Sequence, residues 1–133
     1  MTNKSKKIQT EISAGELLDK LSILEIKIVK IKNKSNLIEI KKEHKVLKKT
    51  KKINIKSSVK INSLFIKLKK INLKLWNIED KIRISEKNKN FNKTFINLAR
   101  SVYFNNDKRA KIKSKINKTL NSNIKEIKQY VNY

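Results

Sequence analysis

Cysteine and proline are missing from this 133-residue chain, and glycine occurs once, at Gly15. Without cysteine there is no disulfide framework and no thiolate metal site. Without proline, nothing stops a helix by force, so caps and polar clusters must set the boundaries. The sequence has no run of about eighteen apolar residues, the minimum for a bilayer-spanning helix. Its opening stretch, Met1 to Lys7, leads into Ile8-Gln9-Thr10-Glu11 with no apolar segment of signal-peptide length. These absences predict a soluble, cytoplasmic protein. Catalytic equipment is scarce as well. His44 is the only histidine, and no Ser-His-Asp set, cysteine nucleophile, glycine-rich phosphate loop or His/Cys ligand cluster is present. No catalytic, cofactor-binding or metal residues are expected, and the chain reads as a non-enzyme.

Arginine and alanine are also rare, at three each, whereas Lys (32), Ile (21) and Asn (17) make up 70 of the 133 residues. All three abundant residues have adenine- and thymine-rich codons, so an AT-rich genome accounts for much of the net charge of +24. Lysine also lacks the planar fork with which arginine grips phosphate. Charge alone predicts a nonspecific, salt-sensitive affinity for nucleic acid. The lysine-dense stretch Lys41–Lys56 has no interleaved aromatic for base stacking. Residues that run against the bias fall into three islands. One holds Ala14 and Gly15; a second, Trp76 with Glu79, Asp80 and Arg83; the third, Ala99, Arg100, Tyr103, Asp107, Arg109 and Ala110.

The pattern is helical throughout. Ser13-Ala14-Gly15-Glu16 reads as a capping box, with Ile12 and Leu17 spaced for a hydrophobic staple. Leu17, Leu21, Leu24, Ile28 and Ile31 then give an amphipathic stripe to about Lys32. After a polar break at 33–36, a second helix is predicted over about 36–50 with Leu37, Ile40, His44 and Leu47 on one face. Lys48 to Ser58 reads as a basic connection. Ile61, Leu64, Leu68, Ile71, Leu75, Ile78 and Ile82 repeat at steps of three and four, the seam of a coiled coil or helical hairpin. Beyond Lys87–Asn92, a fourth helix carries Phe91, Phe95, Leu98 and Val102. Phe104-Asn105-Asn106-Asp107 is a predicted turn, with Asp107 capping a fifth helix that bears Ile112, Ile116 and Leu120.

The expected fold is all-α. It is a small helical bundle built on two long antiparallel amphipathic helices, the first and third, plus shorter C-terminal helices. The whole chain, 1–133, forms one domain, with 1–11 as a flexible N-terminus and 124–133 as a tail. A second copy covering the seam, and so a homo-oligomer, is an open alternative.

Four stretches of this sequence carry a resemblance. They are Ser13-Ala14-Gly15-Glu16-Leu17-Leu18-Asp19 through Lys27; Leu75-Trp76-Asn77-Ile78-Glu79-Asp80 with Ile82, Arg83 and Glu86; Phe95 through Tyr103 with Asn106, Asp107, Arg109 and Ala110; and Lys115-Ile116-Asn117. In that order they resemble an uncharacterised family of small bacterial proteins, domain-of-unknown-function family 6165, over nearly the whole chain. The family more often has proline where Ala14 stands and is less lysine-rich between the motifs. The resemblance implies no established activity. It implies a contextual link to surface-polysaccharide synthesis and glycosyl transfer.

Two polar islands are the candidate partner or ligand surface. Trp76, Glu79, Arg83 and Glu86 share one helix face, with Asp80 beside them. The bland alternative is a Glu79–Arg83–Glu86 ladder of surface ion pairs. Arg100, Tyr103, Asp107 and Arg109 form the second island, where an anion would sit between the two arginines near the predicted fifth helix's N-terminus. Arg100 pairing with an acid of another helix is the alternative. Glu16 reads as a capping acid, and Asp19 and Glu25 as facing different ways. The expected function is a non-enzymatic helical binding or accessory protein with a protein partner. The rival reading is a basic nucleic-acid-binding protein.

Overall fold

The computed structural model describes residues 6–133, all of whose regular structure is helical: α1 (Ala14–Lys30), α2 (Lys34–Asn54), α3 (Val59–Lys87) and α4 (Lys93–Thr119). The first five residues of the expected flexible N-terminus lie outside the described part. No helix among the described residues is long and apolar enough to cross a membrane.

Each helix starts on a short polar side chain. Ser13, Asn33, Ser58 and Asn92 accept hydrogen bonds from the backbone N–H three residues on, at 3.1, 2.9, 3.2 and 3.2 Å. Each bond satisfies a donor that the helix itself leaves unpaired. Ile12 packs against the core cluster to which Leu17 belongs, the placement a staple needs. The capping box is half made, because the Glu16 carboxylate turns to Lys113 instead. α3 and α4 end in left-handed residues, Lys89 (φ 53°) and Asn121 (φ 49°), which close the last turn through Asn90 N–H to Ser85 C=O and Ser122 N–H to Asn117 C=O.

Two predicted boundaries are corrected. α2 runs on to Asn54, so most of the expected basic connection is helix. Lysine is a good helix former, and Lys51 and Lys52 in the last turn complement the helix dipole. The expected turn at Phe104–Asp107 does not exist. α4 passes through it unbroken, and Asp107 caps nothing. Asn105 is buried there and donates to the Ser101 carbonyl at 2.7 Å, so tertiary packing overrides a weak local preference.

α1 is the hub, touching all three other helices, and the most extensive pairing joins α3 to α4. The longest helices are therefore α3 and α4, of 29 and 27 residues, against 17 for α1. The antiparallel pairing expected of the first and third helices is also corrected. Leu17, Leu18 and Leu21 cluster with Ile61, Leu64 and Leu68, and farther along Ile26 shares a concavity with Leu75 and Trp76. Because α4 folds back along α3 after the short link at 88–92 and also runs opposite to α1, α1 and α3 run in the same sense. The cause is connectivity: short links at 31–33 and 55–58 each reverse the chain, so two reversals separate α1 from α3. α4 runs opposite to α1, with Gly15, Glu16 and Asp19 meeting Asn117, Lys113 and Arg109 in turn. α2 buries no residue and lies mainly along α1, reaching α3 where Lys51 stands over the Phe65 ring.

The single glycine marks a close contact between α1 and α4. A Cβ at Gly15 would stand 2.7 Å from the Lys113 carbonyl oxygen and 2.9 Å from Asn117 Oδ1. Its N–H also donates to that Oδ1 at 2.7 Å. Replacement by alanine favours the helix locally by about 1 kcal/mol, but it drives a methyl into the α4 backbone. Gly15→Ala is expected to lower stability by about 1–3 kcal/mol net, measured by chemical unfolding. A variant as stable as wild type would remove the close-contact explanation.

Candidate functional site

The interior of α1 is not uniformly apolar. Asp19 and Ser22 are buried one turn apart beside Leu18 and Leu21. An unpaired buried carboxylate is prohibitively costly, so its partners define the centre of the molecule. Arg109 of α4 grips Asp19 with two donors, Nε to Oδ1 at 3.0 Å and Nη2 to Oδ2 at 2.5 Å. Asn72 of α3 donates from one amide to both Asp19 Oδ1 (2.8 Å) and Ser22 Oγ (2.7 Å). The Ser22 hydroxyl in turn donates to the Asp19 backbone carbonyl at 2.8 Å. Lys113 stands 3.7 Å from Asp19 Oδ2, and it donates to Glu16 at 2.7 Å and to Glu126 of the tail at 3.1 Å. One carboxylate thus ties α1 to α3 and α4, and the adjoining lysine ties in the C-terminal segment.

Charge states follow from this geometry. Burial pushes the Asp19 carboxyl upward. The hydrogen bonds from Arg109 and Asn72, with the charges of Arg109 and Lys113, outweigh it and hold the group below its ordinary value near 3.8. Burial likewise works against the Lys113 cation, but Glu16, Asp19 and Glu126 raise it overall. Glu126 is lowered, first by its bond from Lys113.

Above this clasp, Ile23, Ile26, Asn72, Leu75, Trp76 and Arg109 enclose an open concavity of about 410 Å³, and Glu79, Asp80 and Arg83 complete its wall. The structure therefore brings Trp76, Glu79, Asp80 and Arg83 together with Arg109. The surface ion pair within the set is loose, Glu79 to Arg83 at 3.8 Å with both side chains exposed. The continuous ladder does not form, because Glu86 pairs with Lys89 at 3.2 Å.

The second island is divided. Arg109 is committed to Asp19, and the helix N-terminus expected beside it is absent because α4 is continuous. Arg100 lies over the Phe104 ring, 5.9 Å from its centre, in a cation–π contact, and makes no ion pair among the described residues. Tyr103 and Asp107 line a different concavity, of about 680 Å³, whose far wall is the tail segment Lys128–Tyr133. Tyr133 packs edge-on against Tyr103 and Phe104 and donates its hydroxyl proton to Asp107, which pushes the phenol up to about 12. His44 sits half-buried on α2, away from both concavities.

Sequence reasoning missed the clasp. Asn72 lies four residues after Leu68, on the buried line, but its neighbour Ile71 fits the apolar repeat better and hides it. Asp19 and Ser22 sit on the buried side of α1 three residues apart. That placement was the available signal.

Fold and site define an all-helical protein with a buried polar clasp beneath a mixed-charge groove. The chain belongs to the family described as "Family of unknown function (DUF6165)", whose match covers residues 8–133. No curated protein and no solved structure matches it.

Because Asp19 is more acidic in the folded protein than in the unfolded chain, its stabilisation is complete above the unfolded value. It is lost as pH falls from about 4 through the lower, folded value. Glu126 acts in the same direction. Wild type is expected to lose stability on acidification across this window. Asp19→Asn should be about 3 kcal/mol less stable at neutral pH, since it strands Arg109 and Lys113, and flatter across the acid range. Equal acid slopes in denaturant titrations would contradict the assignment.

Proposed function

We propose that this protein is a non-enzymatic helical accessory protein. In this reading it binds a protein partner in the groove walled by Trp76, Glu79, Asp80 and Arg83. The observation that carries the reading is the floor of that groove. Asn72 and Arg109 line it, and both are held from behind by Asp19. A surface mounted on such a support does not have to be ordered when a partner arrives, which lowers the cost of association. Trp76 is half-exposed at its edge, and tryptophan and arginine are the residues that most often dominate interface energetics. The exposed Glu79–Arg83 pair contributes little to the fold. Both charges are therefore available to re-pair with a partner at small cost.

Trp76 and Arg83 are also residue types that the lysine- and isoleucine-rich composition disfavours. We place the protein in the cytoplasm. The pathway implied by the family resemblance, surface-polysaccharide synthesis and glycosyl transfer, is where the partner should be sought first. The Arg100–Tyr103–Asp107 face belongs to a separate surface and is not needed for this contact.

The test is quantitative affinity capture with wild type, Trp76→Ala and Arg83→Glu, each confirmed folded by circular dichroism. Both variants should weaken the partner captured by wild type by about 2 kcal/mol or more, roughly thirtyfold. Undiminished binding by both would eliminate the groove as the contact surface.

A further inference from the structure

The helix that contributes least to the core is strongly basic. α2 carries eight lysines against two acids, Glu39 and Glu43, and none of its residues is buried. Its inner face, with Leu37, Ile40, His44 and Leu47 half-buried, rests on the rest of the molecule. Its outer face has no neighbour among the described residues. A water-facing helix surface has no physical need for large aliphatics, yet Ile38, Val46 and Ile53 stand there 67%, 58% and 71% exposed. Lys42 and Lys49 fall between them, so residues 38, 42, 46, 49 and 53 follow one another at steps of four, four, three and four. That spacing is a single stripe along the helix. Codon preference explains how many lysines and isoleucines the chain has. Exposed aliphatics also stand on α3, at Val59, Ile66 and Ile84, but α2 sets them among eight lysines on a helix that buries no residue.

We propose that the outer face of α2 docks flat on an anionic lipid bilayer. Ile38, Val46 and Ile53 enter the boundary between headgroups and acyl chains, and the lysines beside them reach the acidic headgroups. Aliphatics alternating with lysine on a helix lying in the membrane plane supply both terms of such binding, apolar burial and charge attraction. Lysine suits this geometry, because its aliphatic stem covers apolar surface while its ammonium stays in water. Nucleic acid would use the charge but gain nothing from the aliphatics. It would be served by arginine or stacking aromatics, and α2 contains neither. The contact is independent of the Trp76 groove.

The experiment is vesicle flotation of the full chain at physiological salt. It compares phosphatidylcholine vesicles with vesicles containing phosphatidylglycerol as well, and a parallel titration uses duplex DNA and single-stranded RNA. Wild type should float with the anionic vesicles and not with the neutral ones. The triple variant Ile38→Ser, Val46→Ser, Ile53→Ser should bind the anionic vesicles at least about tenfold more weakly, as should Lys42→Glu with Lys49→Glu. All five positions are exposed, and unchanged melting of each variant verifies the fold. Failure of wild type to bind anionic vesicles overturns the proposal. So does a triple variant that binds as wild type does, which would mean adsorption by charge alone. Tighter binding to DNA or RNA than to anionic vesicles at the same salt overturns it in favour of a nucleic-acid surface.

Discussion

The ion pair between Asp19 and Arg109 organises this molecule. A carboxylate in the middle of the central helix can stay charged only if every lone pair facing the interior is answered. The answers come from two other helices, Arg109 on α4 and Asn72 on α3, with Lys113 close by. An apolar seam can slide by a turn at modest cost, but a two-pronged arginine clamp fits only one register. The clasp therefore sets how α3 and α4 sit against α1. Gly15, one turn earlier, lets α4 approach closely enough for the clamp to close.

The rest of the architecture follows from that centre. α1 receives partners on three sides, so its buried residues run well beyond a single stripe, taking in Leu18, Asp19, Ser22 and Ile26 beside the predicted Leu17, Leu21 and Leu24. α2 takes no part in the clasp and buries nothing. It is thereby free to carry charge and aliphatics that the core would not accept. The same division separates the two surfaces proposed for function. The Trp76 groove draws rigidity from the clasp beneath it, whereas the outer face of α2 depends only on helix periodicity.

Much of the fold was legible because apolar spacing survives a heavily biased composition. The first and third helices and the all-helical class came from apolar steps of three and four, and the cap at Ser13 from the capping-box motif Ser13–Glu16. Buried polarity was not legible. Asp19 has the same letter whether it faces water or Arg109, and Asn72 is one position from an isoleucine that completes the repeat. The turn expected at Phe104–Asp107 rested on local preference, and there the packing of Asn105 and Arg109 prevails. Trp76, Glu79 and Arg83 were identified, together with Glu86, from their helical spacing, with Asp80 beside them. The structure sends Glu86 to Lys89 and keeps Trp76, Glu79, Asp80 and Arg83 around one groove. That Arg109 stands under them, rather than beside Arg100 facing an anion, required knowing which way α4 crosses α1.

The most direct measurement is a double-mutant cycle between Asp19 and Arg109, using Asp19→Asn, Arg109→Gln and the double variant in chemical denaturation at neutral pH. A clasp that fixes the helix register predicts strong coupling, with the double variant about 2 kcal/mol more stable than the sum of the single losses allows. Losses that add within about 0.5 kcal/mol would show that the pair is incidental to the fold and that the apolar cluster alone sets its register.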